Sequence, residues 1–136
     1  MRSVIQQSVV LPARAEALFE MYLDRATHAA FTGYPVEIGS GAGAPFHAFN
    51  KQISGQILAV VRPQLVVQSW RSVKFHDNDP DSTLILSFTS ELTNAQHGRI
   101  DLVHVDVPEH DFHDVTEGWQ KHYWTPWRTF LESRKT

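Results

Sequence analysis

The sequence predicts an α+β fold in which one antiparallel sheet is covered by a long closing helix. Three observations carry that expectation. Apolar residues recur at helical spacing only toward the two ends, from about Pro12 to Phe31 and from Val115 to Leu131. Between Tyr34 and Val105 the chain reads instead as short strands with turn residues between them. Strands joined by short turns pair antiparallel, and such a sheet has one face that needs cover.

The first apolar run, Val4-Ile5 and Val9-Val10-Leu11, is β-branched and ends at Pro12. That suits a strand followed by a helix whose first position is proline. Ala13, Ala17, Leu18, Met21 and Tyr22 then mark one face of a helix reaching about Leu23. Asp24 is placed to cap a second short helix running toward Phe31, and Gly33 to end it. Ile38 to Pro45, with Gly39, Gly41 and Gly43, reads as a flexible loop without the lysine and helix context of a phosphate loop. Phe46 to Phe49, Ile53 to Val61 and Leu65 to Arg71 read as consecutive strands, the last two joined at Arg62-Pro63-Gln64. His76 to Asp81 is a polar loop, after which Leu84, Leu86 and Phe88 alternate on a strand. Asn94 to Gly98 turns into a strand bearing Ile100, Leu102, Val103 and Val105. After a loop over 106–114, Val115, Trp119, Tyr123, Trp127, Phe130 and Leu131 form the apolar stripe of the closing helix.

Size and composition set outer bounds. At 136 residues and 15.5 kDa the chain predicts one domain spanning 1–136. Folding such a chain leaves about 7,200 Å² exposed out of roughly 22,500 Å², enough burial for a core without disulfides or a structural metal. Apolar residues at 42% and charged residues at 20% exclude intrinsic disorder. A net charge of −3 excludes a basic nucleic-acid footprint. The absence of cysteine removes disulfide scaffolds, thiolate metal sites and cysteine nucleophiles together. No apolar run approaches the roughly 20 residues that span a bilayer, and Gln6, Gln7 and Ser8 interrupt the N-terminus where a signal peptide needs an apolar stretch. A soluble cytoplasmic protein is expected, with neither nucleic acid nor membrane as partner.

Several segments together resemble one family. They are SVVLPARAEALFEMYLD (8–24), FTGYPVEIGSGAGAPF (31–46), SGQILAVVRPQLVVQSW (54–70), STLILSFTSEL (82–92) and GWQKHYWTPWRTFLE (118–132). The most specific features are the Gly55…Arg62-Pro63…Ser69-Trp70 spacing and the closing Gly118-Trp119…Tyr123-Trp124 pair. The chain resembles the heat-shock-protein ATPase activator homologue family (C-terminal-domain-like) within the START-like, SRPBCC or birch-pollen-allergen-like superfamily. The resemblance covers nearly the whole chain. It implies a helix-grip fold, with a curved antiparallel sheet around a long C-terminal helix, two short helices after the first strand, and a cavity between sheet and helix. It also implies hydrophobic ligands, since members of the superfamily carry sterols, lipids, polyketides and plant hormones, and some cyclise polyketides. Two features depart from the co-chaperone pattern. No residues remain for the separate N-terminal domain through which the eukaryotic activator makes a major chaperone contact, and Leu18-Phe19 stand where the family often has tryptophan.

A helix-grip cavity is lined by the concave sheet face and the inner face of the helix. The candidate ligand-binding residues are Trp119, Tyr123, Trp127 and Phe130 on the helix, with Trp70, Leu84, Leu86, Phe88, Leu102 and His104 on strands. Aromatic rings supply rigid apolar contact, and a tip such as the Tyr123 hydroxyl orients a ligand. The competing reading is that the same rings fill the core, and strand parity leaves the face of Trp70 open. Arg71 and Glu37 are candidates for charge at the mouth. Pro126 removes the donor to the His122 carbonyl and predicts a kink that either curves the helix around the sheet or opens the mouth.

Histidines invite acid–base or metal chemistry. His104 follows Ile100 and Leu102 on an alternating strand, so it is either a tunable base beside the cavity or a hydrogen-bonded core residue. His110 and His113, within Glu109–Asp114, converge only on a helix, whereas Asp111 or Asp114 also suits a helix N-cap with solvated neighbours. The His76–Asp81 loop reads as a solvated turn. No cofactor or metal is expected, and no G-x-S-x-G or H-E-x-x-H motif occurs. The leading expectation is a binding domain for a small hydrophobic or amphipathic molecule. An enzyme of polyketide cyclase/aromatase or hydratase type, with His104 and Tyr123 as its catalytic pair, is the alternative. A co-chaperone that stimulates a chaperone ATPase is a further one. The sequence leaves monomer and homodimer both open.

Overall fold

The computed structural model describes residues 2–134. Strand β1 (Arg2–Leu11) leads through a bend at Pro12 into α1 (Ala15–Leu23), which starts three residues later than a proline-opened helix would. Asp24 closes α1 and caps α2 (Arg25–Thr32), its carboxylate accepting from the Thr27 N–H at 2.9 Å. Gly33 ends α2 at φ 83°, in the left-handed region where the missing Cβ removes the steric cost. Six strands follow: β2 (Val36–Glu37), β3 (Pro45–Ala48), β4 (Ile53–Val61), β5 (Leu65–Ser72), β6 (Ser82–Glu91) and β7 (Asn94–Pro108).

All pair antiparallel in the order β1-β7-β6-β5-β4-β3-β2. Extra residues bend the sheet where the register slips. One lies on β7 opposite Ser3–Ile5, where Asp106 takes φ 65°, and another is Leu58 on β4. Alternate residues of β5, β6 and β7 face one interior. Val66, Leu84, Leu86, Phe88, Ile100 and Leu102 are at most 2% exposed and make its apolar floor.

The closing helical run begins with a 3₁₀ turn (Glu109–Asp111) and continues as α3 (Phe112–Trp119), a π turn (Gln120–Trp124) and α4 (Thr125–Ser133). The π turn is how the helix crosses Pro126. Proline has no N–H for the His122 carbonyl, and one widened turn, closed from the Thr125 N–H to the Gln120 carbonyl, takes up the misfit. Asp111 precedes α3 but its carboxylate makes no capping bond, so the 3₁₀ turn supplies the entry. On its outer side the run is fastened to β1. Trp124 Nε1 donates to Gln7 Oε1 at 2.7 Å, Gln7 Nε2 donates to the Thr116 carbonyl at 3.1 Å, and Arg128 reaches the Val10 carbonyl at 2.9 Å. The architecture is the expected helix grip. Among the described residues no helix is long and apolar enough to cross a membrane.

Candidate functional site

A cleft of about 360 Å³ opens between the start of the helical run and the β3–β5 side of the sheet. Its wall is a chain of rings. Trp70 lies 6.2 Å from Trp119 between centroids, Trp119 lies 4.8 Å from Tyr123, Tyr123 lies 5.9 Å from Phe49, and Phe49 lies 5.3 Å from Tyr34. Local periodicity delivers them. Alternation along β5 turns Val66 and Gln68 into the core and carries Trp70 and Ser72 to the cleft. Helical spacing brings Val115, Trp119 and Tyr123 to one face, and Gly118 leaves space among them.

Phe49 is delivered by a less ordinary device. Phe49, Asn50 and Lys51 take φ of 53°, 56° and 66° in succession, a left-handed turn that costs roughly 1–2 kcal/mol per non-glycine residue. Strain of this kind persists where the surroundings over-determine it, and it collects at ligand clamps. Phe49, Asn50 and Gln52 of this turn all line the cleft.

The rim is charged. Lys74 Nζ stands 3.4 Å from an Asp114 carboxylate oxygen. Burial pushes the Asp111 carboxyl up, while the Lys74 ammonium opposes the rise. His122, on the exposed side of the mouth, has its pKa lowered by desolvation and by neighbouring Lys121.

The two residues expected to share acid–base work do not meet. His104 is fully buried, and its Nε2–H faces Ser82 Oγ at 2.9 Å, because the Ser82 hydroxyl donates to the Trp70 carbonyl at 2.6 Å. Its Nδ1 accepts from Trp119 Nε1 at 3.2 Å. Both nitrogens are engaged, and desolvation lowers the pKa to about 3, so the ring stays neutral. Tyr123 belongs to another chain of bonds. Its hydroxyl donates to His28 Nε2 at 2.8 Å, and His28 Nδ1 donates to the Tyr22 carbonyl at 2.7 Å. The Tyr22 hydroxyl in turn donates to Gln68 Oε1, leaving Gln68 Nε2 buried without a partner. Burial holds His28 at a pKa of about 4 and raises both tyrosines above the usual phenol range.

Of the residues expected to line a cavity, Trp70, Trp119 and Tyr123 do line the cleft. Leu84, Leu86, Phe88 and Leu102 do not, because α1 packs over that part of the sheet and Phe19 meets Phe88 edge-on at 5.5 Å. Trp127 is stacked on Phe31 of α2 at 4.1 Å, its Nε1 buried without a partner, and Phe130 borders a shallow depression beside Ala30 and Pro126. Arg71 turns away from the cleft to bond the His76 and Asp79 carbonyls, and Glu37 pairs with His47 at 3.0 Å. His113 is exposed and does not converge with His110, which turns toward Asp79. Sequence reasoning missed Tyr34, Phe49 and His28. The aromatic residues flanking the glycine-rich segment were the signal available for the first two.

A family model described as Activator of Hsp90 ATPase homolog 1-like protein matches residues 12–130. An HSP90 activator from Plasmodium falciparum superposes with a TM-score of 0.83 at 20% identity, over 95% of this chain and 96% of that one. A protein from Mesorhizobium loti gives 0.81 at 10% identity, over 98% and 100% of the two chains. CalU16 from Micromonospora echinospora gives 0.77 at 16% identity, over 100% and 86%. At these identities the likeness is one of fold. No curated protein matches the sequence.

Proposed function

The chain belongs to the Activator of Hsp90 ATPase homolog 1-like family, and from that premise we propose that it binds a small, largely apolar molecule with a polar end in the cleft between sheet and helix. The observation that carries this reading is the unbroken ring wall from Trp70 to Tyr34 along a cleft of about 360 Å³. A volume of a few hundred Å³ with apolar walls and a few polar groups is what small-molecule sites have in common. Apolar burial, at about 25 cal/mol per Å² before association costs, supplies the affinity. Lys74 and His122 at the mouth offer donors to an acceptor on the ligand's polar end, beside the Asp111 and Asp114 carboxylates. The cyclase-like and hydratase-like alternative is left without its base, since His104 has no nitrogen free for a substrate.

Native mass spectrometry of freshly purified protein, with solvent extraction, tests the binding reading directly. It is paired with a titration of an anilinonaphthalene sulfonate probe followed by quenching of tryptophan fluorescence, to which Trp70 and Trp119 of the cleft wall contribute. A co-purifying molecule, or saturable quenching that a metabolite competes away, is the expected result. No bound molecule together with no saturable quenching overturns it.

The family match favours a second reading, stimulation of a chaperone ATPase. The host chaperone's ATPase rate, measured with and without an equimolar amount of the protein, decides it. An unchanged rate removes that reading and leaves the cleft unaffected.

A further inference from the structure

Two polar segments that are far apart in the sequence meet beside the cleft. His76 and Asp79 lie on the β5–β6 connection, and His110 lies in the 3₁₀ turn ahead of α3. His110 Nε2 stands 3.2 Å from Asp79 Oδ2, and His76 Nδ1 stands 3.9 Å from the same oxygen. One ligand atom from each of the three residues lies within 4.8 Å of the others. The two imidazoles stack at 3.9 Å with planes 9° apart. We propose that His76, Asp79 and His110 bind a divalent transition-metal ion of the zinc class, tying the β5–β6 connection to the start of the closing helix.

The donor set selects the ion. Two imidazole nitrogens and one carboxylate suit zinc, cobalt or nickel, whereas calcium and magnesium take oxygen ligands. Around a tetrahedral ion with bonds of about 2.0–2.1 Å, neighbouring donor atoms stand roughly 3.3 Å apart. The observed 3.2 Å separation matches that value, while the 3.9 Å one and the third, within 4.8 Å, close as the ion binds. Coordination requires one ring to turn out of the stack, and the His76 side chain, 65% exposed, is free to do so. Three protein ligands leave a fourth position for water.

The carboxylate is already aimed. Asp79 Oδ2 accepts the His76 N–H at 2.8 Å, and the His76 carbonyl accepts the Asp79 N–H at 2.9 Å. Arg71 braces the same loop from behind, with Nη2 on the His76 carbonyl at 2.7 Å and Nη1 on the Asp79 carbonyl at 2.6 Å. Such outer contacts orient ligands and are themselves worth about tenfold or more in metal affinity. Hydrogen bonds from the His76 N–H at 2.8 Å and from His110 Nε2 at 3.2 Å meet on the same Asp79 oxygen, Oδ2. Lys74 and Asp111, close in sequence to His76 and His110, line the cleft, so the ion would hold one rim of it.

The test uses untagged protein stripped with a chelator and titrated with zinc chloride in a calorimeter. Cobalt absorption spectra serve as an independent report of nitrogen and oxygen ligation. One equivalent of zinc is expected to bind the wild type and raise its melting temperature. His110→Ala and Asp79→Asn should weaken binding at least about tenfold and abolish the melting shift. His113→Ala, whose imidazole is exposed outside the cluster, should bind as the wild type does. Absence of saturable binding, or His110→Ala binding as tightly as the wild type, overturns the assignment.

Discussion

The Tyr123 hydroxyl donates to His28 Nε2 at 2.8 Å and so joins the π turn of the closing helix to α2 across 95 residues of sequence. His28 is fully buried, and its other nitrogen is committed to the Tyr22 carbonyl. Tyr123→Phe therefore strands a buried acceptor while keeping the ring. We expect a loss of about 1–3 kcal/mol, read as a lower urea midpoint with an unchanged slope. Probe affinity should stay near the wild-type value, because the cleft wall loses no apolar surface. An unchanged midpoint would mean that the bond contributes nothing.

The pH dependence of stability follows from two imidazoles held neutral by burial. His28 and His104 have folded pKa values of about 4 and about 3, against about 6.5 in an unfolded chain. Below pH 6.5 the unfolded state takes up protons that the folded state refuses, so stability is fully present above that pH and falls as the solution is acidified. The loss is about 1.4 kcal/mol per pH unit for each histidine, or roughly 3 for the pair, until the folded pKa values are reached. Asp24 and Asp79, both held below the usual carboxylate range by hydrogen bonds, add their losses only at the acid end. Urea midpoints measured from pH 7 down to pH 5 should fall steeply, and His28→Gln should roughly halve the slope. A flat wild-type profile contradicts this account.

Much of the frame was legible because its determinants are local. The Asp24 cap, the Gly33 stop and the Leu84-Leu86-Phe88 alternation each act within a few residues, and each lies where the pattern placed it. The cleft was less so. Leu58 adds a residue to β4 with no sequence mark, so strand parity could not place its neighbours. The left-handed run at Phe49–Lys51 contains no glycine, and Asn50 alone, a residue that tolerates that region, does not mark three in succession. The Leu84 and Leu102 side chains looked like cavity liners because the pattern shows which face is covered but not by what. Contact of His76 with His110 exists only once the topology is closed. Gln7, one of the polar residues that argue against a signal peptide, proves to be the anchor for Trp124.

Gly55 fixes how closely β4 passes β5. A Cβ built there would lie 2.0 Å from the Ser69 carbonyl oxygen and 2.8 Å from its carbon. Backbone on both sides gives little room to shift, so Gly55→Ala must force the two strands apart. The expected cost is about 1–3 kcal/mol, the range for overpacked sites, seen as a lower urea midpoint. Ser69→Ala relieves none of it, because the clash is with main-chain atoms, and rescue by that second change would refute the explanation.

Gly118 offers the opposite case and the sharpest test of the cleft. It sits in α3 on the cleft wall, and a Cβ there meets nothing nearer than His122 Cδ2 at 3.8 Å, an ordinary contact. Glycine inside a helix costs roughly 0.5–1 kcal/mol relative to alanine, so Gly118→Ala should raise the urea midpoint by about that amount. A single methyl group takes little of the cleft, and probe binding should persist. Gly118→Leu keeps the gain in helix propensity but adds a branched side chain beside His122 on the cleft wall, where the ligand is proposed to lie. Its probe affinity should fall at least about tenfold, which is about 1.4 kcal/mol, with no loss of stability. Stability and binding thus move in opposite directions in one variant, a combination that unfolding cannot produce. If Gly118→Leu binds the probe as the wild type does, the binding site lies elsewhere on the molecule.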